Sequence, residues 1–322
     1  MVYGPVPSRR LGRSLGINNI PPKRCSYSCV YCQLGNTLQT ETQPGPFYST
    51  EIIAEKVRTG LEAAGARGEK VDYVSFVADG EPALDINLGK EIDALKGLGV
   101  RIAVITNGSL LWHSDVRQNL LKADWVSLKV DAVSEQTWHR INRPHESLRL
   151  TTVLQGIFKF AAEFGGELTT ETMMIQDIND DTGEIERVAD FLTLLKPVTA
   201  YVAIPTRPPA EHVKPAGRRA VNAAYQVFAD RLGRAEYLIE YEGNEFACSD
   251  DLEEDLLAIT AVHPIREEAA ARLLEKAGAD WGVIENLIDN GRLVALEYQG
   301  KKFYVRRLAG RGPRPEQADP GQ

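Results

Sequence analysis

The chain has 322 residues, 43% hydrophobic and 25% charged, and a formal net charge of −8. That composition belongs to folded globular proteins and excludes the fibrous and disordered classes, and no apolar run reaches the roughly 18 residues a membrane-spanning helix needs. The acidic surplus argues against a globally basic nucleic-acid binder, and four cysteines, three of them bunched at Cys25, Cys29 and Cys32 and the fourth at Cys248, do not make a disulfide framework.

The first stretch, MVYGPVPSRRLGRS, is positively charged but leads into no unbroken apolar segment with a small-residue cleavage site. No signal peptide is read, and a cytoplasmic protein without membrane association is the expectation. RSLGINNI follows as a first strand and runs into RCSYSCVYCQLG at 24–35. Beyond it, strand candidates rich in β-branched and aromatic residues lie at 71–78, 100–108, 124–132, 168–175 and 200–206. Helical segments at 50–64, 87–98, 114–121, 148–164, 182–195 and 216–232 alternate with them. Such βαβα order implies a parallel sheet with right-handed crossovers, either an open doubly wound sheet or a full or partial barrel. In each, functional groups collect at the carboxyl ends of the strands. Those ends carry DGEP (79–82), TNG (106–108), KVD (129–131) and IPTRPP (204–209).

From about residue 250 the pattern changes to three helical stretches followed by two short strands, RLVALEY and KKFYVRRL, joined by QGK. This is the order of a winged helix. The expected division is a barrel over 1–245, a small winged-helix-like domain over 250–308 and a Pro/Gly-rich disordered tail over 309–322. Residues 250–308 hold twelve Asp/Glu against eight Lys/Arg, and the helix in the recognition position carries Asp280, Glu285 and Asp289 with no basic residue. Phosphate repulsion opposes its entry into a groove, leaving Lys301, Lys302, Arg306 and Arg307 of the wing as the nucleic-acid edge.

Thiolates at short loop spacings bind zinc or iron–sulfur clusters, and the count separates the two. A structural zinc site takes four closed ligands, whereas CxxxCxxC offers three, and the nearest histidine, His113, is far along the chain. Three thiolates hold three irons of a 4Fe–4S cubane and leave the fourth open to a substrate. The alternatives are a structural zinc site closed by Cys248 and plain buried, unligated cysteines.

Cys25, Cys29 and Cys32, with the aromatic Tyr31 directly before the third, resemble the CxxxCxΦC motif of the radical S-adenosylmethionine (SAM) superfamily, and DGEP resembles its GGEP element with Asp79 in place of the first glycine. Within it, PSRRLGRSLGINNIPPKRCSYSCVYCQLG is most similar to the branch of tRNA wyosine-synthesis enzymes and their bacterial iron–sulfur relatives. The wyosine enzymes add a second cysteine-ligated cluster that Cys248 alone does not supply. The resemblance implies a partial (β/α)6 TIM-like barrel over roughly 5–245. It further implies one 4Fe–4S cluster on Cys25, Cys29 and Cys32, with SAM on its open iron, and an external one-electron donor of flavodoxin or ferredoxin type. Reductive cleavage of SAM to a 5′-deoxyadenosyl radical, followed by hydrogen abstraction, is the implied activity. Its substrates would be RNA or, alternatively, a peptide or small metabolite; outside this class stands a non-catalytic zinc or iron–sulfur adaptor that binds nucleic acid.

On the same resemblance Gly80, Glu81 and Pro82 offer backbone carbonyls to the SAM ammonium, or form a plain turn. The two-residue period of the strand puts Ser127, Lys129 and Asp131 on one face. Lys129 and Asp131 there suit the carboxylate and ribose of SAM, or a lumen salt bridge. Asn107 is a ribose or substrate contact or the left-handed residue of an Asn-Gly turn, and Tyr31 lies against adenine or packs the cluster loop. Glu171 and Met173 sit mid-strand, with Glu171 facing a polar lumen or pairing with Lys129. Two basic groups, SRRLGR with Arg9 and Arg10 and HRINRPH with Arg143, flank the motifs, and Arg207 lies at another strand end; these are either solvated faces or the candidate contacts to an anionic substrate.

Overall fold

A computed structural model describes residues 2–240, 243, 246 and 251–307. Eight strands form one sheet in strict sequence order: β1 (Val2–Ser8), β2 (Gly12–Ile17), β3 (Tyr73–Phe76), β4 (Arg101–Thr106), β5 (Trp125–Lys129), β6 (Glu167–Met173), β7 (Thr199–Ala203) and β8 (Ala235–Leu238). β1 pairs antiparallel with β2, and from β2 to β8 every pairing is parallel. The sheet is an open TIM-like barrel of the expected α/β class. It carries two strands more than the six-unit reading. β1 escapes sequence reading because Gly4, Pro5 and Pro7 interrupt it, and its register shifts between Tyr3 and Val6, both tolerable on an edge strand. β8 has only four residues.

The helices between the strands are α1 (Thr50–Ala66), α2 (Leu88–Leu95), α3 (Ser114–Leu120), α4 (Glu135–Asn142), α5 (Leu150–Glu163), α6 (Thr182–Leu195) and α7 (Arg218–Leu232). Local chemistry sets their ends: the Ser49 hydroxyl accepts from the Ile52 amide, the Asp181 carboxylate accepts from the Glu184 amide, and α7 stops where Gly233 turns left-handed at φ 79°. Each buries an apolar stripe, such as Val153, Ile157 and Phe160 of α5, against the strands. α4 was not expected, because EQTWHRIN is short and mostly polar; Trp138 and Ile141 nevertheless bury its inner face.

The β1–β2 turn plugs the amino end of the barrel. Leu11 packs with Ala103 and Trp125 in a small cluster of its own, and Arg9 donates to the Tyr237 carbonyl of β8 at 2.8 Å.

The remaining elements are α8 (Leu252–Val262), β9 (Ile265–Arg266), α9 (Glu267–Ala277), α10 (Gly282–Asp289), β10 (Leu293–Tyr298) and β11 (Lys301–Arg306). β10, β11 and β9 form an antiparallel sheet, so the expected order gains one short strand. Leu256, Leu273, Ile284 and Tyr304 make a second core that also takes in Tyr3 and Val6 of β1, which fastens this unit to the barrel edge. The tail from 308 onward and Cys248 lie outside the described residues.

Candidate active site

The carboxyl ends of β3 to β8 surround a cavity of about 250 Å³, walled on one side by the cysteine loop. Cys25, Cys29 and Cys32 all line it, half-buried and free of disulfides. The loop is held by its own backbone. Glu41 donates its amide to the Cys25 carbonyl at 3.0 Å, Cys32 to Cys29 at 3.0 Å, and Val30 to Ile141 at 3.0 Å.

Each sulfur faces one side-chain N–H donor from a different part of the chain. Asn107 Nδ2 lies 3.7 Å from Cys25 Sγ, Asn142 Nδ2 3.4 Å from Cys29 Sγ, and Lys23 Nζ 3.6 Å from Cys32 Sγ. The surrounding protein pushes the Cys25 thiol up, and the Cys29 thiol up to about 12, chiefly by burial, with neighbouring sulfurs and acids adding repulsion. Thiolates are therefore stable here only beside strong positive charge, and the N–H donors are placed for sulfur that carries charge. Among the described residues no three His, Cys, Asp or Glu side chains gather closely enough for a single metal ion. Three soft donors spread around one cavity fit an iron–sulfur cluster.

DGEP acts mainly as the brace of this loop. The Gly80 Cα touches the chain in front of the first cysteine, since a Cβ there would stand 1.8 Å from the Arg24 carbonyl oxygen. Lys23 donates its amide to the Asp79 carbonyl at 2.7 Å and Glu81 to the Arg24 carbonyl at 2.9 Å. The Pro82 carbonyl takes Asn19 Nδ2, and that of Glu81 takes the Leu84 amide. Only Gly80 among these four keeps a carbonyl without a partner among the described residues, and it lines the cavity, whereas Pro82 does not. The buried Glu81 carboxylate collects the Ala83 amide at 3.0 Å, Thr106 Oγ1 at 2.6 Å and the Asn107 amide at 2.7 Å, although burial raises its pKa to about 6.

On β5 and β6, Glu171 both faces the lumen and pairs with Lys129, and Arg10 reaches in from the β1–β2 turn to its other oxygen. Burial works against the Glu171 carboxylate, but the two cations outweigh it and lower its pKa to about 2. Lys129, Glu171, Arg10 and Met173 line the cavity. Asp131 does not, because β5 ends at Lys129 and the chain turns away. Its carboxylate accepts from Tyr31 Oη, from Asn142 Nδ2 at 2.7 Å and from the Met173 amide at 2.9 Å, leaving it behind the cysteine loop rather than over a ribose. Tyr31 anchors the loop through its hydroxyl and also lines the cavity.

The four arginines separate. Arg10 and Arg207 line the cavity. Arg9 is exposed and engaged with Tyr237, and Arg143 is exposed and forms a two-pronged pair with Glu211. Arg207 belongs to a polar strap that ties the carboxyl-terminal unit over the opening. It donates to Gln33 Oε1 at 3.1 Å and to His263 Nε2 at 2.7 Å, and Gln33 donates to the Val262 carbonyl at 2.7 Å. Burial, with Arg207 beside it, drives His263 well below its ordinary pKa, so its neutral ring accepts. Val262 itself lines the cavity. Lys23, Gln33, Asn142 and His263 were missed by sequence reading. Two of them adjoin the cysteine run, at two positions before Cys25 and one after Cys32, and that adjacency was the available signal; Asn142 and His263 are brought in by folding alone.

A parallel open barrel with three free cysteines on the loop after its first parallel strand defines a class of enzymes that hold an iron–sulfur cluster at the mouth of the barrel. The chain belongs to the radical SAM superfamily, whose family profile matches residues 19–192. It is 45% identical to UPF0026 protein MJ1312 of Methanocaldococcus jannaschii over 97% of both chains. It is 39% identical to UPF0026 protein slr1464 of Synechocystis over 64% of this chain and 76% of that one. In fold it resembles a radical SAM methyltransferase from Sphaerobacter thermophilus (TM-score 0.55, 17% identity, covering 70% of this chain and 66% of that one). It also resembles TYW1 with a lysine-pyruvate adduct bound (TM-score 0.50, 14% identity, 70% and 82%). The protein is an enzyme of SAM-dependent radical chemistry with a 4Fe–4S cluster and SAM as cofactors. No helix among the described residues is long and apolar enough to cross a membrane.

Proposed function

We propose that Cys25, Cys29 and Cys32 ligate one 4Fe–4S cluster whose open iron takes SAM, and that the enzyme abstracts hydrogen from a small, anion-bearing metabolite. When bound, the reduced cluster supplies an electron that splits SAM into methionine and a 5′-deoxyadenosyl radical, so the reactive carbon must be kept from water and from the protein. The observation that carries this reading is the placement of all three free cysteines on one wall of a cavity formed by the strand ends.

This chain's residues divide the remaining work. The Gly80 carbonyl is available to the SAM ammonium, Lys129 to its carboxylate, Asn107 to its ribose and the Tyr31 ring to adenine, while Glu81, Pro82 and Asp131 hold those groups from behind. The cation that meets a substrate anion is Arg10 or Arg207. A cytoplasmic flavodoxin- or ferredoxin-type donor delivers the electron.

Two features favour a small molecule over RNA. The strap through Gln33, Arg207 and His263 roofs the cavity with the carboxyl-terminal unit, which we take to be winged-helix-like. The wing's lysines are also occupied, Lys302 by Glu267 at 3.1 Å and Lys301 by Glu268 at 3.7 Å, which speaks against a nucleic-acid adaptor.

Anaerobic reconstitution tests the reading. The expected product has about four irons per chain and forms 5′-deoxyadenosine only with both SAM and dithionite. One zinc per chain with no SAM cleavage would refute it. Stimulation of 5′-deoxyadenosine formation by a tRNA fraction and not by a small-metabolite fraction would refute the substrate class alone.

A further inference from the structure

The Tyr27 amide lies 3.5 Å from Cys25 Sγ, and the three side-chain N–H donors around the cysteines are not equivalent. Asn107 Nδ2 stands 2.9 Å from Ser26 Oγ and 3.7 Å from Cys25 Sγ, so one of its protons goes to the hydroxyl and the other meets the sulfur only at the longest of the three distances. Lys23 Nζ is likewise 3.6 Å from Cys32 Sγ but 2.6 Å from the Gly35 carbonyl. Asn142 has the shortest contact to sulfur, 3.4 Å to Cys29, and its geometry fixes which atom makes it. The same nitrogen is 2.7 Å from Asp131 Oδ2. The Asp131 carboxylate meets only donors, so it selects the nitrogen end of the Asn142 amide, and the second amide proton is left for the sulfur. Asp131 is itself pinned, because Oδ1 takes the Met173 amide at 2.9 Å and Oδ2 also takes the Tyr31 hydroxyl. The relay therefore runs from β6 through Asp131 and Asn142 to Cys29.

A hydrogen bond to a cluster-ligating thiolate stabilises the form with more negative charge, which is the reduced form, and so raises the reduction potential. Resting on the cluster assignment above, we propose that Asn142, oriented by Asp131, is a positioning residue that raises the potential of the cluster through its N–H bond to Cys29 and thereby brings it within reach of its electron donor.

The test compares wild type with Asn142→Leu, which keeps approximate size and removes the donor. Both proteins are reconstituted anaerobically and matched for iron and sulfide, and the midpoint potential is read by EPR-monitored potentiometric titration without SAM. The expected result is a more negative potential in Asn142→Leu with an otherwise normal cluster signal, partly recovered in Asn142→Gln. Asp131→Asn gives a second route. Its oxygen stays with the Met173 amide, so its own N–H faces Asn142, which turns over and aims a carboxamide oxygen at the sulfur. This variant should also shift negative. An unmoved potential in Asn142→Leu overturns the inference, and if that variant holds no cluster, an unmoved potential in Asp131→Asn overturns it equally. A wild-type protein that assembles no 4Fe–4S cluster overturns the proposed function itself, whereas a normal cluster with unmoved potentials overturns only this inference.

Discussion

Gly80→Ala puts the brace of the cysteine loop under direct load. The added methyl would stand 1.8 Å from the Arg24 carbonyl oxygen, 2.6 Å from its carbon and 3.2 Å from the Arg24 nitrogen, all backbone atoms that no rotamer change can move. Relief requires the two chain segments to part by roughly an ångström, and overpacking of this kind costs about 1–3 kcal/mol. The oxygen struck is also the acceptor of the Glu81 amide at 2.9 Å, so separation removes a buried hydrogen bond worth about 1 kcal/mol more. The cluster-free protein should therefore lose about 2–4 kcal/mol in urea unfolding. Because Arg24 immediately precedes Cys25, iron retained after reconstitution should fall with it. Gly65→Ala is the control. It lies in α1 with nothing within 4 Å of the new methyl, and it should be neutral or stabilise by up to about 1 kcal/mol through helix propensity. If Gly80→Ala matches wild type in both stability and iron content, the close approach does not exist and the account of DGEP as a brace fails.

Three further outcomes are expected. Alanine at Cys25, Cys29 or Cys32 should each abolish both the intact cluster and SAM cleavage, whereas Cys248→Ala should retain both; iron analysis and 5′-deoxyadenosine chromatography decide, and an equal need for Cys248 would restore the zinc reading. Glu171→Gln leaves Arg10 and Lys129 without their shared carboxylate and should cost about 3–5 kcal/mol at neutral pH. Since Glu171 titrates at about 2 in the folded protein, its contribution is complete above the ordinary glutamate pKa of about 4.3 and is lost as pH falls towards 2. The gap between wild type and variant must narrow over that acid range, and a constant gap would contradict the ion-pair account. Asp79 has the opposite sign: burial raises it to about 6, so its contribution is complete below about pH 3.9 and is lost as pH rises through 6. Asp79→Asn should flatten the stability profile between those limits and be relatively more stable at pH 7.5, which denaturation at pH 5 and 7.5 will show.

What the sequence made legible was chemistry that depends on neighbours along the chain. CxxxCxxC states its own ligand count, and β-branched runs separated by amphipathic stretches state a parallel sheet, because both are written in local spacing. Asp131 shows where that stops. A two-residue period carried past Lys129 placed its carboxylate in the lumen, but the strand had ended, and the side chain went to the partners that a buried carboxylate requires. Arg10 shows what local spacing leaves out. A basic cluster near a motif offers a cation to an anionic ligand, and folding, which closes the hairpin under the barrel, also sets Arg10 beside an internal anion, Glu171, more than a hundred positions away.

Asn142 marks the deeper limit. It lies far beyond the cysteine run, at the end of a helix with too few apolar residues to be expected, and nothing in its neighbours announces a sulfur. Its importance depends on three tertiary distances at once: to Cys29, to Asp131 and, through Asp131, to β6. The thiol count is set by which residues supply ligands, and any chain with that spacing meets it. The energy level of whatever those thiols hold is set by donors such as Asn142, whose orientation exists only after β5, α4 and β6 have packed. The cofactors were therefore reached through the family resemblance that one dozen-residue segment carries, whereas the tuning of the cluster is a property of the folded barrel.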